Sequence, residues 1–194
     1  MTLTTGDDGL PRCAWVGSDL EYQRYHDEEW GQPLHGDQAL FEKITLEAFQ
    51  SGLSWITILK RRPAFRSAFH GFDIAVVASL TDEEVDELVL DARIIRNRQK
   101  IVATRANAQL ALVLVDGNPG ALDELMWSFA PPPAPRPTDL ADIPAVTPES
   151  TAMSAALKKT GFRFVGPITM YALMQSTGMV DDHVEGCWRA QPSA

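Results

Sequence analysis

Cys13 and His26 stand near one end of the chain with twelve residues between them, and His183 and Cys187 near the other with three between them. A His-x-x-x-Cys step puts two soft donors on one face of a helical turn. Together the four are the inventory of a closed, tetrahedral Cys₂His₂ zinc site. They account for both cysteines of the protein and half of its four histidines. One metal held by all four would tie the two ends of the chain together. Spacing leaves a second reading open, two inert buried thiols beside two unrelated histidines, because widely separated ligand pairs discriminate weakly.

Glu47 raises a different question. The recurrence of Leu40, Phe41, Ile44 and Ala48 after Asp37, a candidate N-cap, predicts a helix with one apolar stripe. Glu47 falls on that stripe, seven positions after Leu40 and three after Ile44. An inward carboxylate is costly unless it is paired, hydrogen-bonded or protonated. It either serves a ligand, reaches solvent from the helix end, or is satisfied by a local network. Tyr22, Tyr25, Trp30 and Trp55 flank the helix in sequence, whereas Trp15 and Trp127 read as core. A carboxylate among aromatic faces suits a flat cationic ligand, since the ring quadrupoles attract positive charge and the acid accepts N–H donors.

A third feature runs from Leu88 to Ala108, LVLDARIIRNRQKIVATRANA. A helix, a short turn holding Ile94 and Ile95, and a second helix with a basic start make a candidate helix-hairpin-helix. Such a turn would offer backbone N–H groups and a helix N-terminus to a phosphate, with Arg96, Arg98 and Lys100 close by. An αα-corner of this kind is also a common structural element.

The elements that must position these residues read as helical almost throughout. Pro63 opens a short helix holding Phe65 and Phe69, and Thr81 with Glu84 matches a capping box ahead of Val85, Leu88 and Val89. A break over Asp91–Arg96 precedes a long helix to about Val115, and Pro119 can open another with Leu122, Leu125, Met126 and Phe129. Residues 131–148 hold seven of the 13 prolines and read as a loop or linker. Helices over about Thr151–Thr160 and from Pro167 to near Gly178 follow. No run alternates convincingly with a period of two, so the expected class is all-α, one domain spanning residues 1–194.

Apolar residues at 45% and charged residues at 22% describe an ordinary globular protein. The sequence shows no apolar run of membrane-spanning length and no basic-then-apolar leader, and paired thiols with metal-like spacing suit a reducing compartment. The expected location is the cytoplasm. The net charge of −9 argues against a polyanion partner overall, yet twelve of the 17 Lys and Arg fall in three clusters: 60–66, 93–105 and 158–163. A basic face on an acidic body can hold a phosphate backbone.

Arg12-Cys-Ala-Trp, Tyr25-His-Asp-Glu-Glu-Trp-Gly, Leu46-Glu-Ala-Phe-Gln-Ser-Gly-Leu-Ser-Trp, Ile94-Ile-Arg-Asn-Arg-Gln-Lys-Ile, Leu157-Lys-Lys-Thr-Gly-Phe-Arg-Phe-Val-Gly and Asp182-His-Val form an ordered series. The series closely resembles the bacterial 3-methyladenine DNA glycosylase I family of the helix-hairpin-helix superfamily, from about Arg12 to Cys187. The resemblance implies a structural zinc on Cys13, His26, His183 and Cys187 that joins the termini. It implies a pocket for an alkylated base lined by Glu47, Tyr25, Trp30 and Trp55, with Tyr22 beside them. Gly52 and Leu53 match the segment that fills the gap left by a flipped base, and Arg96, Arg98 and Lys100 match the DNA anchor. The implied activity is excision of 3-methyladenine from duplex DNA without strand cleavage, since no lysine matches a nucleophile position, by a protein expected to act as a monomer. A DNA-binding protein of the same fold that no longer cuts is the alternative. A zinc hydrolase is disfavoured because a four-ligand site leaves no open position for water. Two features depart from the family pattern: Arg93 stands where a glycine is expected in the hairpin, and Phe49 and Ser51 vary around the wedge.

Overall fold

The computed structural model describes residues 2–190, so residues 1 and 191–194 of the expected domain lie outside the described residues. Two three-residue strands, β1 (Leu3–Thr5) and β2 (Pro11–Cys13), pair antiparallel with Leu3 opposite Cys13. Ten α-helices follow among the described residues: α1 (Leu20–Glu28), α2 (Asp37–Gln50), α3 (Trp55–Leu59), α4 (Arg62–Ala68), α5 (Ile74–Ala78), α6 (Asp82–Leu90), α7 (Arg98–Val115), α8 (Ala121–Trp127), α9 (Pro148–Lys159) and α10 (Pro167–Ser176). The all-α expectation therefore needs one correction, the small hairpin. Each strand is too short to show an alternating pattern. None of the described helices is long and apolar enough to cross a membrane.

Local chemistry explains most boundaries. Thr81 Oγ1 accepts from the Glu84 N–H while the Glu84 carboxylate accepts from the Thr81 N–H, so the capping box that starts α6 is complete. Asn97 caps α7 through the Lys100 N–H. Thr147 caps α9 with Pro148 as its first residue, so this helix begins three positions before the expected Thr151 and takes over the end of the proline-rich stretch. Pro119 and Phe129 both fall outside α8, whose N-cap is Gly120.

Asp37 is a cap, but not for its own helix. Gly36 is the N-cap of α2, and the Asp37 carboxylate accepts from the N–H groups of Gly120, Leu122 and Asp123 at 2.6, 3.0 and 3.0 Å. One side chain thus satisfies the start of α8, more than eighty residues away in sequence.

The long helix α7 packs against α2, α5, α6 and α8, and α10 packs against α2 and α9. Ala103, Ala108 and Ala111 on α7 are buried and let its neighbours approach closely. The core between these helices is apolar and rich in phenylalanine, with Phe41, Phe49, Phe65, Phe69 and Phe72 fully buried. Helix α2 lies at the centre of this arrangement, which is why a carboxylate on its inner stripe is buried.

The stretch over 131–147 is extended apart from a single 3₁₀ turn at Leu140–Asp142. It is fastened to the body by an ion pair from Arg136 to Asp181 at 2.6 Å and by the Glu185 N–H donating to Pro137 O at 3.0 Å. It is a strap over the surface and carries Ile143 to the site described next.

Candidate functional site

A cleft of about 200 Å³ opens between α1, α2, α3, α10 and the strap, lined by Trp15, Tyr22, Tyr25, Trp30, Glu47 and Trp55 together with Gln50, Ile143, Ala172, Gln175 and Ser176. Drug-sized ligands occupy pockets of roughly 300–1,000 Å³, so this volume suits a single heterocycle. All four aromatics singled out from the sequence meet here. Trp15, read as core, joins them: its ring centroid lies 4.9 Å from Tyr22 and 5.1 Å from Trp30. Tyr25 and Trp55 form a second pair at 5.4 Å.

Glu47 is 3% exposed and accepts a hydrogen bond from Ser176 Oγ at 3.1 Å. Burial pushes its carboxyl up to about 7, against the lowering influence of Lys43 and of the Ser176 hydroxyl. The carboxyl therefore changes charge near neutral pH, in a cavity where any cation it meets is poorly screened.

Lys43 was missed by sequence reasoning. It sits four residues before Glu47 on the same buried stripe and is as anomalous there as the acid. Its ammonium is buried without a hydrogen-bond partner among the described residues, 5.1 Å from the Tyr25 ring centroid and 5.3 Å from that of Trp55. The rings supply cation–π stabilisation in place of hydrogen bonds. Burial lowers the lysine pKa, while Glu47 and then Glu29 oppose that shift. Ser176, Gln175 and Ile143 carry no sequence signal of their own, because only tertiary packing brings α10 and the strap to α2.

Beside the cleft, Cys13, His26 and Cys187 are buried together and offer ligand atoms within 4.8 Å of one another, a cluster that could hold a metal ion. Cys187 Sγ lies 3.4 Å from His26 Nε2. His183 stands alongside, its ring centroid 4.9 Å from that of His26. Each imidazole donates from Nδ1 to a carboxylate at 2.8 Å, His26 to Asp27 and His183 to Asp181. That arrangement leaves Nε2 as the lone-pair donor on both rings, the orientation found in carboxylate–histidine–metal triads. Nε2 of His183 is buried with no partner among the described residues, an orphan that a metal would satisfy. The hydrogen bond between the two thiols lowers the pKa of Cys187, aided by His26, and raises that of Cys13, so the pair favours one thiolate, on Cys187, hydrogen-bonded by the other thiol. Arg12 and the Trp188 indole fix Asp27 in turn. Gly31 (φ +73°) is required at this point, since a Cβ there would stand 2.8 Å from His183 Cε1.

At the far end of α2, Ser51 to Ser54 are exposed, Gly52 adopts φ +85° and Leu53 is 42% exposed. Helices α6 and α7 form the expected pair around the turn 91–97. Arg93 turns back onto Asp91, with Nη2 2.8 Å from Oδ2, and its backbone is not in the left-handed region, so this turn does not call for a glycine. Arg96 is exposed and has no side-chain partner among the described residues. Arg98 pairs with Asp86 at 2.5 Å, both more than half exposed, a contact that solvent keeps weak and exchangeable. Lys100 corrects the expectation made for it. Its side chain is directed inward, 7% exposed, and donates to Phe49 O and Ser51 O at 2.9 and 2.8 Å instead of standing at the surface beside the arginines.

A methyladenine glycosylase family model matches residues 15–190, nearly the whole chain. The chain belongs to the methyladenine glycosylase family. Among its curated members, DNA-3-methyladenine glycosylase 1 of Escherichia coli K12 is 47% identical over 180 residues, covering 92% of this chain and 96% of that protein. Among solved structures of the family, one of 3-methyladenine DNA glycosylase I superposes with a TM-score of 0.88 at 43% identity, covering 92% of this chain and 98% of the other. A tyrosine-to-phenylalanine form of 3-methyladenine DNA glycosylase I, in complex with 3-methyladenine, gives 0.85 at 34% identity, covering 91% and 95%.

Proposed function

We propose that this protein is a DNA base-excision repair glycosylase that flips 3-methyladenine out of alkylated duplex DNA and hydrolyses its N-glycosidic bond, leaving an abasic site with the strand intact. The observation that carries this reading is Glu47, a buried carboxylate in an aromatic cleft sized for one heterocycle. The complex of a family member with 3-methyladenine supports the choice of base.

Methylation at N3 leaves the base positively charged and its glycosidic bond labile, so selection and exposure of the nucleotide matter more than protonation of a poor leaving group. Flipping costs roughly a few kcal/mol, least for a damaged base. Leu53, presented by Gly52, fills the gap in the stack, and Arg96 and Arg98 hold phosphates at the hairpin between α6 and α7. Trp55 stacks on the base, Tyr25, Trp30 and Tyr22 complete the pocket, and ionised Glu47 accepts hydrogen bonds from the exocyclic amino edge. Neutral adenine lacks the charge that both the rings and the carboxylate read, which supplies discrimination. Water adds at C1′ as the base departs with the bonding pair.

Cys13, His26, His183 and Cys187 would hold a structural zinc; the first, second and last already cluster, and the orphaned Nε2 of His183 beside them would supply the fourth donor. Such a closed site supplies cohesion between the chain ends and takes no part in the chemistry. Incubation with methylated duplex DNA and chromatography of the released bases tests the function. Release of 3-methyladenine in preference to 7-methylguanine is expected. Tight binding to that DNA with no base release would point instead to a damage-recognition protein.

A further inference from the structure

Lys100 is costly where it stands. It is the third residue of α7, where the partial positive charge of the helix N-terminus disfavours a cation, and burial lowers its pKa further. An apolar side chain would satisfy the packing. What the ammonium meets is the C-terminal end of α2, donating to Phe49 O at 2.9 Å and to Ser51 O at 2.8 Å, carbonyls that have no onward helical partner. Phe49 lies two residues beyond Glu47, and Ser51 opens the exposed loop that carries Gly52 and Leu53. Two residues before Lys100 stands Arg98, and two further back is Arg96. A single buried side chain therefore joins the basic turn to both the loop and the carboxylate-bearing end of α2.

From this geometry we infer that Lys100 is a positioning residue that locks the Ser51–Ser54 loop to the start of α7, so that phosphate binding at the turn fixes where Leu53 enters the base stack. The inference rests on the glycosylase reading and assigns Lys100 a role in nucleotide flipping, distinct from binding the base and from contacting DNA. Without the ammonium the loop would be anchored only through its own turn, and phosphate contacts at Arg96 would no longer set its register.

The test compares three readouts in wild type and Lys100→Met: single-turnover excision from methylated duplex DNA, the Kd of free 3-methyladenine from tryptophan fluorescence, and the melting temperature. Loss of the charged hydrogen bonds is expected to slow duplex excision about 10- to 100-fold. The Kd for the free base should stay within about twofold, because the cleft is untouched. Lys100→Arg should recover part of the rate. Leu53→Ala, expected to slow the wild type, should add little in the Lys100→Met background, since residues that act as a unit are non-additive. An unchanged duplex rate would overturn the inference. So would a loss of base affinity in parallel with the rate, or independent multiplication of the two substitutions, each of which marks a merely structural lysine. A wild type that releases no base from duplex DNA would refute the glycosylase reading and this inference with it.

Discussion

Replacing Glu47 by glutamine should make the protein more stable and less active, and the gain should depend on pH in a defined way. Below pH 4.5 the carboxyl is protonated in both the folded and unfolded chains. Between 4.5 and about 7 only the unfolded chain ionises, so stability falls as pH rises through this window. Above about 7 both states are charged and the loss is complete. At about 1.4 kcal/mol per pH unit, the interval from 4.5 to about 7 corresponds to roughly 3.5 kcal/mol. A glutamine side chain has no proton to lose, so the variant escapes this penalty. The figure is an upper bound, because Lys43 loses the opposite charge of Glu47 in the variant. At roughly 2–4 °C per kcal/mol, Glu47→Gln should melt up to about 14 °C above wild type at pH 8 and within a degree or two of it at pH 4.5. Excision should fall by about 10- to 100-fold with the loss of a charge-assisted hydrogen bond. Thermal melts of both proteins across pH 4.5–8, with single-turnover excision at pH 7.5, provide the assay. Parallel stability–pH curves would refute the reasoning, since they would mean that Glu47 ionises at the same pH in the folded and unfolded chains.

Three further outcomes are expected. Lys43→Met removes the positive charge that lowers the Glu47 pKa, so the pH at which kcat/KM reaches half its plateau should move upward from about 7; a midpoint that stays put would separate the two groups electrostatically. Asp37→Ala leaves three N–H groups at the start of α8 without their partner and should cost about 1–2 kcal/mol in a urea titration, with base affinity retained. Cys187→Ser should lower bound zinc, measured by atomic emission after dialysis, together with the melting temperature; full zinc content at an unchanged melting point would dismiss the metal assignment.

How far the sequence discloses this molecule depends on the distance over which each residue finds its partner. The box at Thr81 and Glu84 is complete within four residues and is visible in the text of the chain. Asp37 has the right residue type for a cap, yet the N–H groups it serves belong to another helix, and no local pattern could name them. Glu47 and its aromatics are conspicuous because an acid on an apolar stripe violates the rule of the helix. Lys43 violates the same rule one turn earlier but reads as an ordinary i,i+4 partner of that acid. Lys100 is the opposite case: its basic neighbours make it look like part of a surface patch, and only the approach of α7 to the end of α2 reveals which way it faces. His183 and Cys187 are recognisable as donors, whereas Asp27 and Asp181, which orient the imidazoles, have no spacing that marks them.

The placement of Cys13 and His26 against Cys187 also fixes a sequence of events during synthesis. Cys187 emerges from the ribosome 174 residues after Cys13, a delay on the order of 9–35 s at about 5–20 residues per second. Throughout that interval Cys13 is without the Cys187 partner beside which the fold buries it. The cluster therefore cannot be complete before the chain has been made as far as Cys187, and a chain truncated ahead of that residue lacks one of its donors.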